Sequence, residues 1–153
     1  MKDTIVIDLD GTLSNCDHRR HLVQGKKRDY EAFHAKIGED PVNEWCAMLM
    51  ERMSVDPECE GSGYKIIIVS ARPWSATVET RRWLLKNHVV YDSLFLLRTD
   101  GDSTPDQDLK REWLHSYGKD RILFVVDDRS RVVKMWREEG LVCLQCDKWE
   151  EVK

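Results

Sequence analysis

The sequence predicts an α/β protein: a three-layer α/β sandwich around a central parallel sheet, with a small insertion after the first strand. Two observations predict it. Five short apolar runs rich in β-branched residues recur along the chain, and the stretches between them carry helical spacing. Strands that alternate with helices build parallel sheets covered on both faces.

The runs are residues 4–9 (TIVIDL), 65–69 (KIIIV), 93–97 (SLFLL), 122–126 (ILFVV) and 141–145 (LVCLQ). Their apolarity is continuous rather than alternating, which marks strands buried on both sides. Helices are expected over 43–53, with Trp45, Met48, Leu49 and Met53 on one stripe, and over 77–86, with Val78, Trp83, Leu84 and Leu85 near another. Two more follow at 106–117 and 130–139, the second with Val132, Val133 and Trp136 inward. Residues 13–40 form a polar segment, basic at its start, with one short helix around 30–36. Residues 58–64 and 99–105 (TDGDSTP) read as loops.

A chain of 153 residues closes one core, so 1–153 is expected to be one domain, with 13–40 as a small cap-like insertion. With 41% hydrophobic and 34% charged residues the chain is globular rather than disordered. A net charge of −4 means that any polyanion must meet a local basic patch. No apolar run approaches the ~20 residues that span a bilayer. Five cysteines, an odd number without a signal-peptide pattern, favour reduced thiols in the cytoplasm. Of these, Cys143 and Cys146 form a C-x-x-C pair, expected to pack in an apolar strand rather than to bind zinc.

Ligands of open α/β sheets gather at the carboxyl ends of strands. The first strand exits into Asp8-Leu9-Asp10-Gly11-Thr12, the second into Ser70-Ala71-Arg72 and the fourth into Asp127-Asp128-Arg129. The helix opening at Asp106 carries Lys110 one turn later. Asp8 and Asp10, two apart, share a face of an extended chain. With Asp127 and Asp128 they offer the oxygen ligands that Mg²⁺ prefers. Such an ion lets an anionic phosphate approach Asp8, which can attack phosphorus as a covalent nucleophile. Asp10 can then protonate the leaving oxygen and later deprotonate water. Gly11 permits a tight turn whose backbone N–H groups would face the phosphate. Ser70 would donate a hydrogen bond to the phosphoryl oxygens, and Lys110 would supply charge. Each piece alone has a plainer reading: a turn, a helix cap, a surface lysine. Their joint order at successive strand exits favours chemistry.

These four elements, in this order, resemble the haloacid dehalogenase (HAD) superfamily of phosphohydrolases. The motifs are Ile5–Thr12 (IVIDLDGT), Ile66–Ser70 (IIIVS), Lys110 and Val125–Asp128 (VVDD). The resemblance implies a HAD-like Rossmannoid fold, Asp8 as nucleophile, Asp10 as acid and base, and Mg²⁺ held by Asp8, the Asp10 carbonyl and Asp128. Within the superfamily, the tail DDRSRVVKMWREEGLVCLQ and Ser70-Ala71-Arg72 are similar to the 3′-phosphatase domain of bacteriophage polynucleotide kinase. That likeness implies site roles for Arg19, Arg72 and Asp106. Arg20 and Arg129 join these arginines as candidate phosphate contacts, and Trp74 is a candidate for base stacking. No G-x-x-x-x-G-K-[ST] phosphate loop occurs, so no kinase activity is expected.

The expected partner is a phosphorylated nucleic-acid end, DNA or RNA. A small-molecule phosphatase such as a nucleoside monophosphatase, and a non-catalytic phosphate-binding module, remain alternatives.

Overall fold

The computed structural model describes residues 1–54 and 63–148. Within the loop expected over 58–64, residues 58–62 lie outside the described residues, as does Cys59. Five strands, β1 (Thr4–Ile7), β2 (Lys65–Pro73), β3 (Ser93–Arg98), β4 (Ile122–Asp127) and β5 (Cys143–Gln145), form one sheet in the order β3-β2-β1-β4-β5. Every neighbouring pair is parallel.

Burial on both faces explains the unbroken apolar runs. Ile5, Ile7, Ile66, Ile68 and Val126 pack on one face, and Val6, Ile67, Val69 and Val125 on the other. Alternate residues of each strand therefore serve opposite layers, as the two-residue period of a strand requires. Helices α3 (Glu44–Met53) and α4 (Thr77–Lys86) cover the first face through Cys46, Met50, Trp83 and Leu84. Helices α5 (Asp106–Tyr117) and α6 (Ser130–Glu138) cover the second through Leu114, Val132, Val133, Met135 and Trp136. The three-layer sandwich is thus complete.

Two predicted stripes shift in phase. Trp45 and Met48 on α3 are 46% and 56% exposed, and Val78 and Leu85 on α4 are 60% and 78% exposed. The buried residues are Cys46 and Met50 on α3, with Leu49 and Met53 of the expected stripe packed beside them, and Thr80, Trp83 and Leu84 on α4. Apolar side chains surround most of α3, so size alone does not pick out the buried face. The last strand begins at Cys143 because the preceding residues close α6. Gly140, at φ +85°, turns the chain, and the Leu141 N–H donates to the Trp136 carbonyl at 3.1 Å. The cysteine pair also divides. Cys143 is buried, whereas Cys146 lies past β5, exposed, with Sγ 3.6 Å from Thr12 Oγ1; packing in an apolar strand holds only for the first.

The segment after β1 is more structured than its polar composition predicts. It holds α1 (Asp17–Arg20), the expected short helix α2 (Tyr30–Ala35), and 3-10 turns at His21–Val23 and Ile37–Glu39. The Asp29 side chain caps α2 by accepting the Ala32 N–H at 2.9 Å. Ile37 enters the main core, while Phe33 packs with Cys16 in a satellite cluster. Among the described residues no helix is long and apolar enough to cross a membrane.

Candidate active site

The strand order reverses at β1, whose neighbours are β2 and β4, and the carboxyl end of this switch point holds the acidic residues. Asp8 lies one residue past β1, its N–H still donating to the Val126 carbonyl at 3.0 Å. The chain then turns sharply. The Gly11 N–H donates to the Ser14 carbonyl at 2.8 Å and the Thr12 N–H to the Leu9 carbonyl at 3.0 Å. These two amides are spent inside the turn and do not face outward, contrary to the sequence expectation. Gly11 sits at φ +86°, and a Cβ there would fall 2.1 Å from Asp128 Oδ2. Glycine is required for both reasons. Thr12 is fully buried beneath Asp8, with its hydroxyl 3.5 Å from Asp8 Oδ2.

Lys110 bridges two acids. Its Nζ donates to Asp8 Oδ1 and to Asp127 Oδ2, each at 2.7 Å, and its charge is locked in by them although burial opposes it. Asp127 also accepts from Trp136 Nε1 at 3.2 Å and from the Arg129 N–H at 3.3 Å. Both of its oxygens thus have protein donors. Asp128 differs: its Oδ2 is buried without a hydrogen-bond partner, 3.9 Å from Arg20 Nη2.

Carboxylate oxygens of Asp8, Asp127 and Asp128 lie within 4.8 Å of one another. Burial, reinforced by Asp127 and partly offset by Lys110, pushes Asp8 up to about 7. Burial and the charges of Asp8 and Asp127 push Asp128 up to about 8. An unpartnered oxygen amid crowded buried carboxylates fits a hard divalent cation, with Asp8 and Asp128 as the ligands whose oxygens remain available. The Asp10 side chain, grouped with these acids in the sequence, stands outside the cluster.

Asp10 is instead clamped by arginines. Arg72 donates through Nε and Nη2 at 3.0 and 2.7 Å, and Arg19 through Nη2 at 2.5 Å. Burial would raise the Asp10 pKa, but the two guanidiniums overcome it and hold the carboxyl far below the usual range. Arg19 and Arg72, expected as phosphate contacts, are themselves buried and held from behind. Asp40 accepts from Arg19 Nε at 2.7 Å and Nη2 at 2.5 Å, and it also bonds Ser14 and His18. Its backbone carbonyl accepts Trp83 Nε1 at 2.7 Å, and Arg72 Nη1 donates to Thr80 at 2.9 Å.

Strand β2 continues through Ser70, Ala71 and Arg72 to Pro73, with a pairing irregularity between Ser70 and Pro73. Ser70 Oγ accepts the Arg72 N–H at 3.2 Å, and the Ala71 carbonyl accepts Arg98 Nε at 3.0 Å. Arg98 Nη2 reaches Asp106 Oδ1 at 2.6 Å, and Arg129 pairs with Asp106 Oδ2. Asp106 is thus held between two arginines beside the rim. Trp74 is 59% exposed, its indole N–H donating to the Leu96 carbonyl. Asp40, Thr80 and Arg98 are the members of the site that the sequence did not single out. Only the position of Asp40 before Pro41 marked it, and that reads equally as a turn.

The fold and this rim define the class: a HAD-type phosphohydrolase, with acidic clusters at the ends of β1 and β4 and a lysine from the helix between β3 and β4. The family model for the polynucleotide kinase PNKP phosphatase domain matches residues 2–150, and the chain belongs to that family. It is 32% identical to a chain in a structure of the Pnkp1/Rnl/Hen1 complex, with a TM-score of 0.75, covering 97% of this chain and 47% of that one. A second structure, of the Pnkp1/Rnl/Hen1 RNA repair complex, gives 29% identity and a TM-score of 0.77, covering 96% of this chain and 43% of that one. The chain therefore spans less than half the length of these relatives. A HAD-family enzyme from Bacteroides thetaiotaomicron, at 13% identity and a TM-score of 0.58 over 100% of this chain and 98% of its own, shares the fold.

Proposed function

We propose that this chain is a magnesium-dependent phosphomonoesterase acting through an aspartyl-phosphate on Asp8, and that its substrate is the 3′-terminal phosphate of a polynucleotide. One observation carries the reading: Lys110 bridges Asp8 and Asp127, while Asp128 next to them keeps a buried oxygen without a partner. Asp8 and Asp128 would hold Mg²⁺, which supplies charge neutralisation for the incoming phosphate. Asp8 Oδ2, the oxygen Lys110 does not bond, attacks phosphorus as the bond to the 3′-oxygen breaks. Lys110 stabilises the charge gathering on the phosphoryl oxygens. Asp10 gives its proton to the departing 3′-oxygen, then takes one from the water that cleaves the acyl phosphate.

The arginine clamp implies an order of events. Asp10 is held ionised by Arg72 and Arg19, so it becomes an acid only when that hold loosens. An arriving phosphate offers the arginines a competing anion, which couples substrate entry to proton uptake at Asp10. Ser70 and Ala71 border this site on β2, and Asp106 with Arg129 braces its edge.

The polynucleotide substrate rests on membership of the phosphatase-domain family and on the likeness to a chain of an RNA repair complex. Residues 1–153 would act as one catalytic unit, with 13–40 supplying Arg19 and Asp40 to the site. A cytoplasmic setting suits the four described cysteines, all free. Phosphate release is to be compared for 3′-phosphorylated DNA and RNA oligonucleotides, their 5′-phosphorylated counterparts and free 3′-mononucleotides. Preference for the 3′-phosphorylated polymers is expected. Faster hydrolysis of the free nucleotides would move the assignment to a small-molecule phosphatase.

A further inference from the structure

Helix α2 is bolted to the catalytic rim. Arg19, which binds Asp10, also donates through Nη1 to the Phe33 carbonyl at 3.1 Å, and its guanidinium lies 4.0 Å over the Phe33 ring. One guanidinium thus sets both Asp10 and the helix. On the same helix the rings of Tyr30 and His34 stack at 6.4 Å with 27° between their planes, and Tyr30 is 52% exposed. His34 is half-buried beside Phe33, and burial lowers its pKa. A pair of stacked rings, one of them exposed, therefore stands on the helix that Arg19 ties to the carboxyl that would protonate the leaving group.

Resting on the reading above, we propose that the Tyr30–His34 stack is the platform for the nucleobase of the 3′-terminal nucleotide. The leaving oxygen must face Asp10, which turns the attached nucleoside toward α2. A small cavity bordered by Gly11, Arg20, Asn43, Trp45 and Cys146 lies on the Asp128 side of the turn and includes neither Tyr30 nor His34 in its lining. Stacking on an aromatic face tolerates any base, which suits an enzyme that reads an end rather than a sequence. Arg19 fixes α2 relative to the rim through Phe33, so a stacked base would help to align the scissile bond.

The test compares an oligonucleotide ending in a 3′-phosphorylated thymidine with one ending in a 3′-phosphorylated abasic residue. Wild-type protein is expected to favour the base-bearing end in kcat/KM by about tenfold or more, the usual worth of one aromatic–base stack. The ratio should fall close to one in Tyr30→Ala/His34→Ala and persist in Tyr30→Trp, which keeps a stacking face. An unchanged ratio in the double alanine variant overturns the platform. A wild-type ratio near one, with polymers still preferred over free 3′-mononucleotides, overturns the platform but leaves the polynucleotide reading standing. Loss of that polymer preference overturns both.

Discussion

Asp40 shows how much of the site depends on a residue that touches none of the reacting atoms. It is 4% exposed and accepts from Ser14, His18 and Arg19, and it lies 3.6 Å from Arg72. Both arginines that clamp Asp10 therefore have their charge balanced from behind. Asp40→Ala would leave the buried Arg19 guanidinium without its main counter-ion. Removing one partner of a buried pair costs about 3–5 kcal/mol, to be read as a lower urea midpoint, and phosphatase activity should fall with it. A surface-like loss of less than about 1 kcal/mol would contradict this role. Asp8→Asn should abolish phosphate release, because an amide cannot form the acyl phosphate. Asp10→Asn should lower kcat by about 10²–10⁴-fold, the range of a lost acid–base group.

At the scale of elements, the turn between β1 and α1 sets the geometry of the acids. Its tightness brings the Gly11 backbone against the Asp128 carboxylate, where no side chain fits. Gly11→Ala is expected to displace Asp128, and the φ of +86° adds about 1–2 kcal/mol of backbone strain. The variant should therefore lose both activity and the thermal shift that Mg²⁺ confers. A normal magnesium shift in a folded Gly11→Ala protein would mean that Asp128 is not a ligand. Helices act on the site as well. Trp136 of α6 and Trp83 of α4 are core side chains whose indole N–H groups reach Asp127 and the Asp40 carbonyl. The two layers that bury the sheet thus also hold two buried acids of the site in place.

For the whole molecule, the buried carboxyls couple stability to pH and to metal. Asp8 and Asp128 are raised to about 7 and about 8, so between about pH 4 and 8 these two groups bind more protons in the folded protein than in the unfolded chain. Their contribution to stability consequently falls as pH rises through that window. Held by Asp8 and Asp128 as proposed, Mg²⁺ would require both groups ionised and would oppose the loss. Its increment in Tm should be larger near pH 8 than near pH 6 and vanish with a chelator. Equal increments at both pH values would remove these two residues from the metal site.

The amino-acid sequence by itself determined the layered fold and its chemical elements. The unbroken apolar runs required a parallel sheet buried on both faces, and Asp8, Ser70 and Asp128 stand at the ends of three of those runs, with Lys110 on the helix before the last of the three. Helix phase was less legible, since apolar residues surround most of α3 and cannot say which side faces the sheet. Only the tertiary structure decided the partners. Asp127 serves Lys110 while Asp128 is left with an open oxygen, and Arg19 and Arg72 hold Asp10. Asp40 comes from a polar insertion with no periodicity to mark it. The physical reason is common to these cases: strand and helix signals are local, whereas a buried charge takes its role from charges brought close by contacts distant in sequence, as with Lys110 and Asp8, which meet at 2.7 Å.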